Sequence, residues 1–156
     1  MHDLAEATHE NVQLTVLDGL DVLCIEKISA LTAVPNETEV GGRLPLHATA
    51  VGKCILANSP RELFVEIVDR GLTRQTKHTI IQPGRLGTEL REIRRTGVAY
   101  SREEMTPGVI SVASPIIAPG GILQGALGVV ARWPGKLEHL APAVRTTALT
   151  ISRGCR

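Results

Sequence analysis

Aromatic residues are the scarcest feature of this 156-residue chain, which has one Phe, one Tyr and one Trp. Proteins that bind single-stranded nucleic acid stack the bases on several aromatic side chains, and this sequence cannot supply such a surface. The formal net charge is only +1, so no overall attraction to the phosphates of duplex DNA is expected. These two shortages argue against a chain that binds nucleic acid by itself.

Cysteine is also rare: Cys24, Cys54 and Cys155 are far apart and odd in number. This pattern argues against a disulfide framework and favours a reducing, cytoplasmic location. No apolar run reaches the ~18 residues of a membrane span, and the polar N-terminus does not resemble a signal peptide. The five histidines show no zinc-site spacing, so we predict no metal, no cofactor and no membrane partner.

The composition, 43% hydrophobic and 21% charged residues, suits one folded domain with a substantial core. Val12, Leu14 and Val16 alternate with polar residues as in a half-buried strand. An Asp-Gly turn at 18–19 then predicts a hairpin with a second strand over 22–28. Further strands are predicted over 98–101, 109–117 and 122–131.

Four helices follow from capping and periodicity. Thr49 is a plausible N-cap for a helix that ends near Ala57. Ser59 to Glu62 reads as a capping box that starts a second helix. A third runs from Pro83 to Gly97, and a fourth over 140–153. With hairpin-linked strands and no repeating βαβ unit, this order predicts an α+β fold with an antiparallel sheet.

The stretch from Gly41 to Ala57 is the best candidate for a binding site. It reads as a glycine-containing turn, a loop and the start of a helix, with small residues at Ala48, Ala50 and Gly52. The N–H groups at a helix start lack intrahelical partners and favour a carboxylate or phosphate. An ordinary tightly packed junction between turn and helix explains the same residues, so the residues alone leave both interpretations open.

Four ordered blocks of the chain resemble the effector-binding domain of IclR-type transcriptional regulators. Residues 42–53, GRLPLHATAVGK, match its central signature, and residues 10–19, 90–104 and 107–116 are similar to its other diagnostic segments. The resemblance implies a GAF-like fold, an α+β domain whose antiparallel sheet is flanked by helices.

The same resemblance implies a ligand-sensing domain of a bacterial regulator, which binds a small organic acid. DNA would be bound only through an N-terminal winged helix-turn-helix, which we predict to be absent from this chain. Residues 1–10 would then be the end of a linker helix within an effector-binding domain over residues 1–156. The resemblance also implies a homodimer or homotetramer.

Site residues carried over by position form a pocket between the sheet and the central signature. The effector carboxylate would meet the backbone at Ala50, Val51 and Gly52. The family has serines at two of the sheet positions in some members, where this chain has Gly128 and Val130, so we expect a ligand with an anionic end and a larger apolar body. The other implied effector-binding residues are Ser101, Val109 and Ser111, with Ala33 and Asn36 on a covering segment.

Two other functions have to be compared with this one. His47 and Cys54 could form part of a Cys/His hydrolase, but such an enzyme needs the two in contact and an orienting Asn or Asp. We therefore predict no catalytic residues. The chain could instead be an interaction or oligomerisation module with a vestigial pocket, in which case the core around Gly128 and Val130 would be filled.

Overall fold

The computed structural model describes residues 1–29, 39–133 and 137–155. Within these residues the chain forms five helices and six strands. In chain order they are α1 (His2–Thr8), β1 (Asn11–Asp18), β2 (Asp21–Ile28), β3 (Arg43–Pro45), α2 (Ala50–Ala57), α3 (Arg61–Arg70), α4 (Pro83–Thr96), β4 (Ala99–Arg102), β5 (Val109–Ala118), β6 (Ile122–Arg132) and α5 (Leu137–Gly154).

All six strands join one sheet in the order β3-β2-β1-β6-β5-β4, and every pairing is antiparallel. This confirms the predicted α+β class. The hairpins β1–β2 and β5–β6 form through local turns, whereas β1 pairs with β6 across almost the whole chain. That long-range pairing places β1 and β6 in the middle of the sheet.

Both faces of the sheet are covered. Helix α2 packs on one face against β4, β5 and β6, and α4 packs on α2. Helix α5 covers the other face over β5 and β6, with α1 beside it. Two hydrophobic clusters result, one around α2 and α4 and one beneath α5.

The structure confirms most predicted helices but corrects one start signal. Thr49 caps α2 through a hydrogen bond in which the Gly52 N–H donates to Thr49 Oγ1 at 3.0 Å, and Gly97 ends α4 in the left-handed conformation. The predicted capping box at Ser59 is wrong: α3 begins at Arg61 without a side-chain cap. Ser59 Oγ instead donates to the Ile55 carbonyl at 2.6 Å, so this residue ends α2 rather than starting α3.

Two further differences come from long-range contacts. Strand β3 lies inside the stretch read as a loop and exists because Leu44 pairs with Val22 of β2. Helix α5 begins at Leu137, three residues before the predicted start, and keeps Pro142 in its interior. Packing of its buried residues Ala141, Val144 and Ala148 against the sheet compensates for the hydrogen bond that proline cannot donate.

Candidate functional site

The start of α2 is the first component of the site. Thr49 Oγ1 accepts from the Gly52 N–H and itself donates to the Pro45 carbonyl at 2.9 Å. The first intrahelical bond runs from the Lys53 N–H to the Thr49 carbonyl. The N–H groups of Ala50 and Val51 precede it and therefore have no intrahelical acceptor. These two donors lie at the positive end of the helix dipole, which favours a negative charge.

The sheet beneath α2 supplies the second component. Its register aligns one residue from each of four neighbouring strands in a single row. Ser101 on β4 pairs with Ser111 on β5, and Ser111 pairs in turn with Val130 on β6. On its other side, Val130 pairs with Asn11 on β1. This row crosses the sheet on the face that α2 covers. It brings together residues that are far apart in sequence.

Between these two components lies a cavity of about 50 Å³. It is bounded by the sheet, by Thr49 at the helix start, by Leu44 of β3 and by the loop between β4 and β5. Its lining is a mixture of hydroxyl, amide and apolar side chains: Gln13, Leu44, Thr49, Ser101, Met105, Thr106, Val109, Ser111 and Val130. Because a cavity lies against Val130, the core is not completely filled there.

Four of the residues implied by the resemblance line this one cavity: Ser101, Val109, Ser111 and Val130. Ala50 and Val51 are buried at the adjoining helix start and are not part of the lining, which meets the helix at Thr49. Ala33 and Asn36 lie outside the described residues.

The two glycines of the implied site have packing roles. A Cβ at Gly52 would lie 2.7 Å from the Leu46 carbonyl oxygen, so this position allows the helix to approach the preceding turn, and its N–H is already bonded to the cap. A Cβ at Gly128 would lie 2.7 Å from Val51 Cγ1. The space that glycine leaves at 128 is therefore occupied by Val51 and adds no apolar volume to the cavity.

Sequence reasoning missed Gln13, Leu44, Met105 and Thr106. Gln13 is one of the polar residues that alternate with Val12 and Leu14, a pattern typical of a strand with one face in solvent, but it is only 4% exposed because α2 covers that face. Leu44 lies on the short strand that was not predicted. Met105 and Thr106 belong to a loop whose approach to the cavity no local pattern indicates.

That loop is held in place by a buried charge. Lys53 of α2 is fully buried, and its Nζ donates to Glu104 Oε1 at 2.8 Å and also to Glu89 of α4. Glu104 in turn accepts from the Arg102 N–H at 3.1 Å. The Thr79 hydroxyl donates to the Glu104 carbonyl at 2.6 Å. Helix α2 and the loop that lines the cavity are thus connected by charge-assisted hydrogen bonds.

The hydrolase interpretation receives no support from the geometry. Cys54 lies in the hydrophobic cluster around α2, and burial raises the pKa of its thiol far above the ordinary value, so a thiolate nucleophile is disfavoured. The His47 Nε2 lies 2.8 Å from the Thr73 carbonyl oxygen and is occupied by it. Among the described residues, no group of three or more His, Cys, Asp or Glu side chains could hold a metal ion.

Within the same described part of the chain, no helix is long and apolar enough to cross a membrane.

Comparison with protein families decides the assignment. The family model described as "Bacterial transcriptional regulator IclR C-terminal" matches residues 1–153. The chain belongs to this family. Its members are transcriptional regulators and not enzymes, which excludes the hydrolase interpretation for this IclR-type domain.

Individual relatives agree with the assignment. The HTH-type transcriptional regulator KdgR of Dickeya chrysanthemi is 32% identical over 130 residues, which cover 83% of this IclR-type domain and 43% of that relative. The chain therefore spans less than half the length of this regulator.

Two solved structures carry ligands. An IclR homolog from Microbacterium hydrocarbonoxydans complexed with 4-hydroxybenzoate superposes with a TM-score of 0.93 at 29% identity, covering 97% of this chain and 63% of that one. A double mutant of the PobR inducer-binding domain from Acinetobacter, in complex with 3-hydroxybenzoic acid, gives a TM-score of 0.87 at 28% identity, covering 97% and 93%. Both of these structural relatives therefore bind a hydroxybenzoate.

Proposed function

We propose that this domain binds a small organic acid in the cavity between α2 and the sheet, with the carboxylate at the N–H groups of Ala50 and Val51. The observation that supports it is the shared location of two features. The cavity meets α2 at Thr49, the residue that caps this helix. The ligand's anionic end would thus meet the positive end of the helix dipole.

The cavity size supports a small ligand. At about 50 Å³ it is well below the ~150 Å³ of an engineered cavity that accepts benzene. A compact acid fits with little adjustment, whereas an aromatic acid requires the lining to move. Met105 is the side chain best able to do so, since it is unbranched, half-buried and on a loop.

We further propose that ligand occupancy modulates DNA binding by a separate winged helix-turn-helix domain of the regulator, and that the regulator is a homodimer or homotetramer. The KdgR relative, a regulator more than twice as long as the matched segment, supports the first part. Light scattering on the protein at tens of micromolar tests the second, and a strict monomer would contradict it.

The site is tested with Ser111→Leu. Ser111 is half-buried, lines the cavity and has a side chain aimed at the α2 side of the sheet, so a leucine fills the space where the acid would lie. Ala50 is unsuitable for this purpose, because it is 1% exposed in the core and a larger side chain would overpack it. Thr150→Leu, on an exposed position of α5, is the matched control.

Thermal shift with a panel of small carboxylic acids identifies a binder, because a ligand specific to the folded state raises the apparent stability. Calorimetry then compares the variants. We expect Thr150→Leu to bind as wild type does and Ser111→Leu to lose at least about tenfold in affinity, equivalent to about 1.4 kcal/mol. Equal binding by Ser111→Leu would place the site elsewhere.

A further inference from the structure

Gln13 carries the one fully buried side-chain oxygen or nitrogen of the described residues that has no hydrogen-bond partner. The side chain lines the cavity and the residue is 4% exposed. Its Oε1 is completely buried, and no donor in residues 1–29, 39–133 or 137–155 reaches it. A buried amide oxygen without a donor destabilises the folded state, because it has lost its bonds to water without replacement.

Two buried polar residues on the same face of the sheet are satisfied. Thr15, two residues along β1, donates from Oγ1 to the Ala126 carbonyl at 3.0 Å. Ser101 donates from Oγ to the Ala48 carbonyl at 3.2 Å. The missing bond is thus specific to Gln13 and does not extend to the other buried polar residues of this face.

The location of Gln13 connects it to the helix start. In the sheet it pairs with Gly128, and a Cβ placed on that glycine would lie 3.6 Å from Gln13 Cγ and 2.7 Å from Val51 Cγ1. Gln13 and Val51 therefore flank the same point above the sheet. Because Val51 also carries one of the two N–H groups without an intrahelical acceptor, a carboxylate bound to that N–H would be held by a residue that neighbours Gln13.

We propose that Gln13 selects the effector by accepting a hydrogen bond from it, so that the effector is a hydroxylated carboxylic acid rather than a plain one. This rests on the proposed function, because the carboxylate places the ligand beside Gln13. The acid supplies the donor that Oε1 lacks in the protein, and an acid without a hydroxyl leaves that oxygen unsatisfied.

The test compares matched acids on wild type and on Gln13→Leu, which keeps the approximate size and removes the amide. The probes are glycolate against acetate, lactate against propionate, and 3- and 4-hydroxybenzoate against benzoate, with 4-methoxybenzoate as an analogue that keeps the oxygen but cannot donate. Thr15→Val is the matched control, since it removes a buried polar group from the same strand and face.

For at least one pair, wild type should prefer the hydroxylated acid by roughly three- to tenfold, the effect of one hydrogen bond. Gln13→Leu should abolish that preference, and Thr15→Val should keep it. The ligand-free Gln13→Leu protein should unfold at the same or a higher temperature than wild type, because an unsatisfied polar group has been removed. If Gln13 only stabilises the fold, the ligand-free Gln13→Leu protein should instead unfold at a lower temperature than wild type.

Other outcomes separate the two proposals. If an acid binds and Ser111→Leu blocks it, but hydroxylation brings no preference, the selection by Gln13 is wrong and the proposed site stands. The same holds if the methoxy analogue is favoured, because the amide then presents its Nε2 donor, or if Thr15→Val also loses the preference. If no acid in the panel binds wild type, both proposals fail.

Discussion

The two faces of the central strands are both covered by a helix, yet they carry different side chains. Towards α5, the strands present residues such as Val12, Val112 and Leu127, which are fully buried and purely hydrocarbon. Towards α2, the same strands present Gln13, Thr15 and Ser111. Hydrocarbon packing dominates the α5 face, where the buried hydroxyls of Ser114 and Ser152 both have hydrogen-bond partners in the protein. The polar groups of the α2 face cost desolvation. Thr15 is satisfied by the Ala126 carbonyl, whereas Gln13 and Ser111 line the cavity in which we propose that a polar ligand binds.

The largest effect is expected from removing the buried charge on the α2 side. Lys53→Met leaves the Glu104 carboxylate, whose side chain is 11% exposed, without the cation that neutralises it. We expect a loss of about 3–5 kcal/mol in the free energy of unfolding, typical of a broken buried ion pair, measured by chemical denaturation.

The control for Lys53→Met is Arg95→Met, which removes an exposed ion pair with Glu92 and should hardly change stability. A Lys53→Met protein as stable as wild type would show that the carboxylates relax towards water, and that the loop is not held by this contact.

On the α5 face, Leu127→Ala should cost about 3 kcal/mol of unfolding free energy, because it leaves a cavity in a close-packed hydrocarbon layer. Leu127 is fully buried and lies on the opposite side of the sheet from the candidate site. The affinity for the acid, measured by calorimetry below the unfolding temperature, should therefore be unchanged. Weaker binding would mean that the two faces are coupled through β6.

The smallest effect is expected from Ser111→Ala. Its hydroxyl lines the cavity, so removing it should weaken acid binding by about 1 kcal/mol, as for an ordinary hydrogen bond, with little change in stability. Ser152→Ala is the counterpart on the other side: Ser152 Oγ accepts from the Ile117 N–H at 3.0 Å, so this variant should lose stability and keep its affinity. The reverse pattern would contradict the division between the faces.

Local signals predicted most of the fold. The Thr49 cap, the start of α4 at Pro83 with its end at Gly97, and the two hairpin turns are each determined within a few residues of sequence. The prediction of a capping box at Ser59 was wrong because only three residues separate α2 from α3. A serine between them can bond to the preceding helix as well as to the next. Strand β3 was not predicted because the strand with which it pairs is distant in sequence.

The only residues of the candidate cavity that were predicted as site residues are those carried over from the family resemblance. Ser101, Val109, Ser111 and Val130 line the cavity at the expected positions. Gln13 was not predicted as a cavity residue, because the alternation of apolar and polar residues on one strand cannot show whether the polar face contacts water or a helix. Here β1 lies in the middle of the sheet and α2 covers it, so the polar side is buried as well.

The contact between Val51 and Gly128 makes the side chains at these two positions sterically interdependent. A side chain at 128 would collide with Val51 Cγ1, so a serine there requires a smaller residue at 51 or a displaced α2. Substitutions at positions 51 and 128, on elements far apart in sequence, should therefore have non-additive effects on stability.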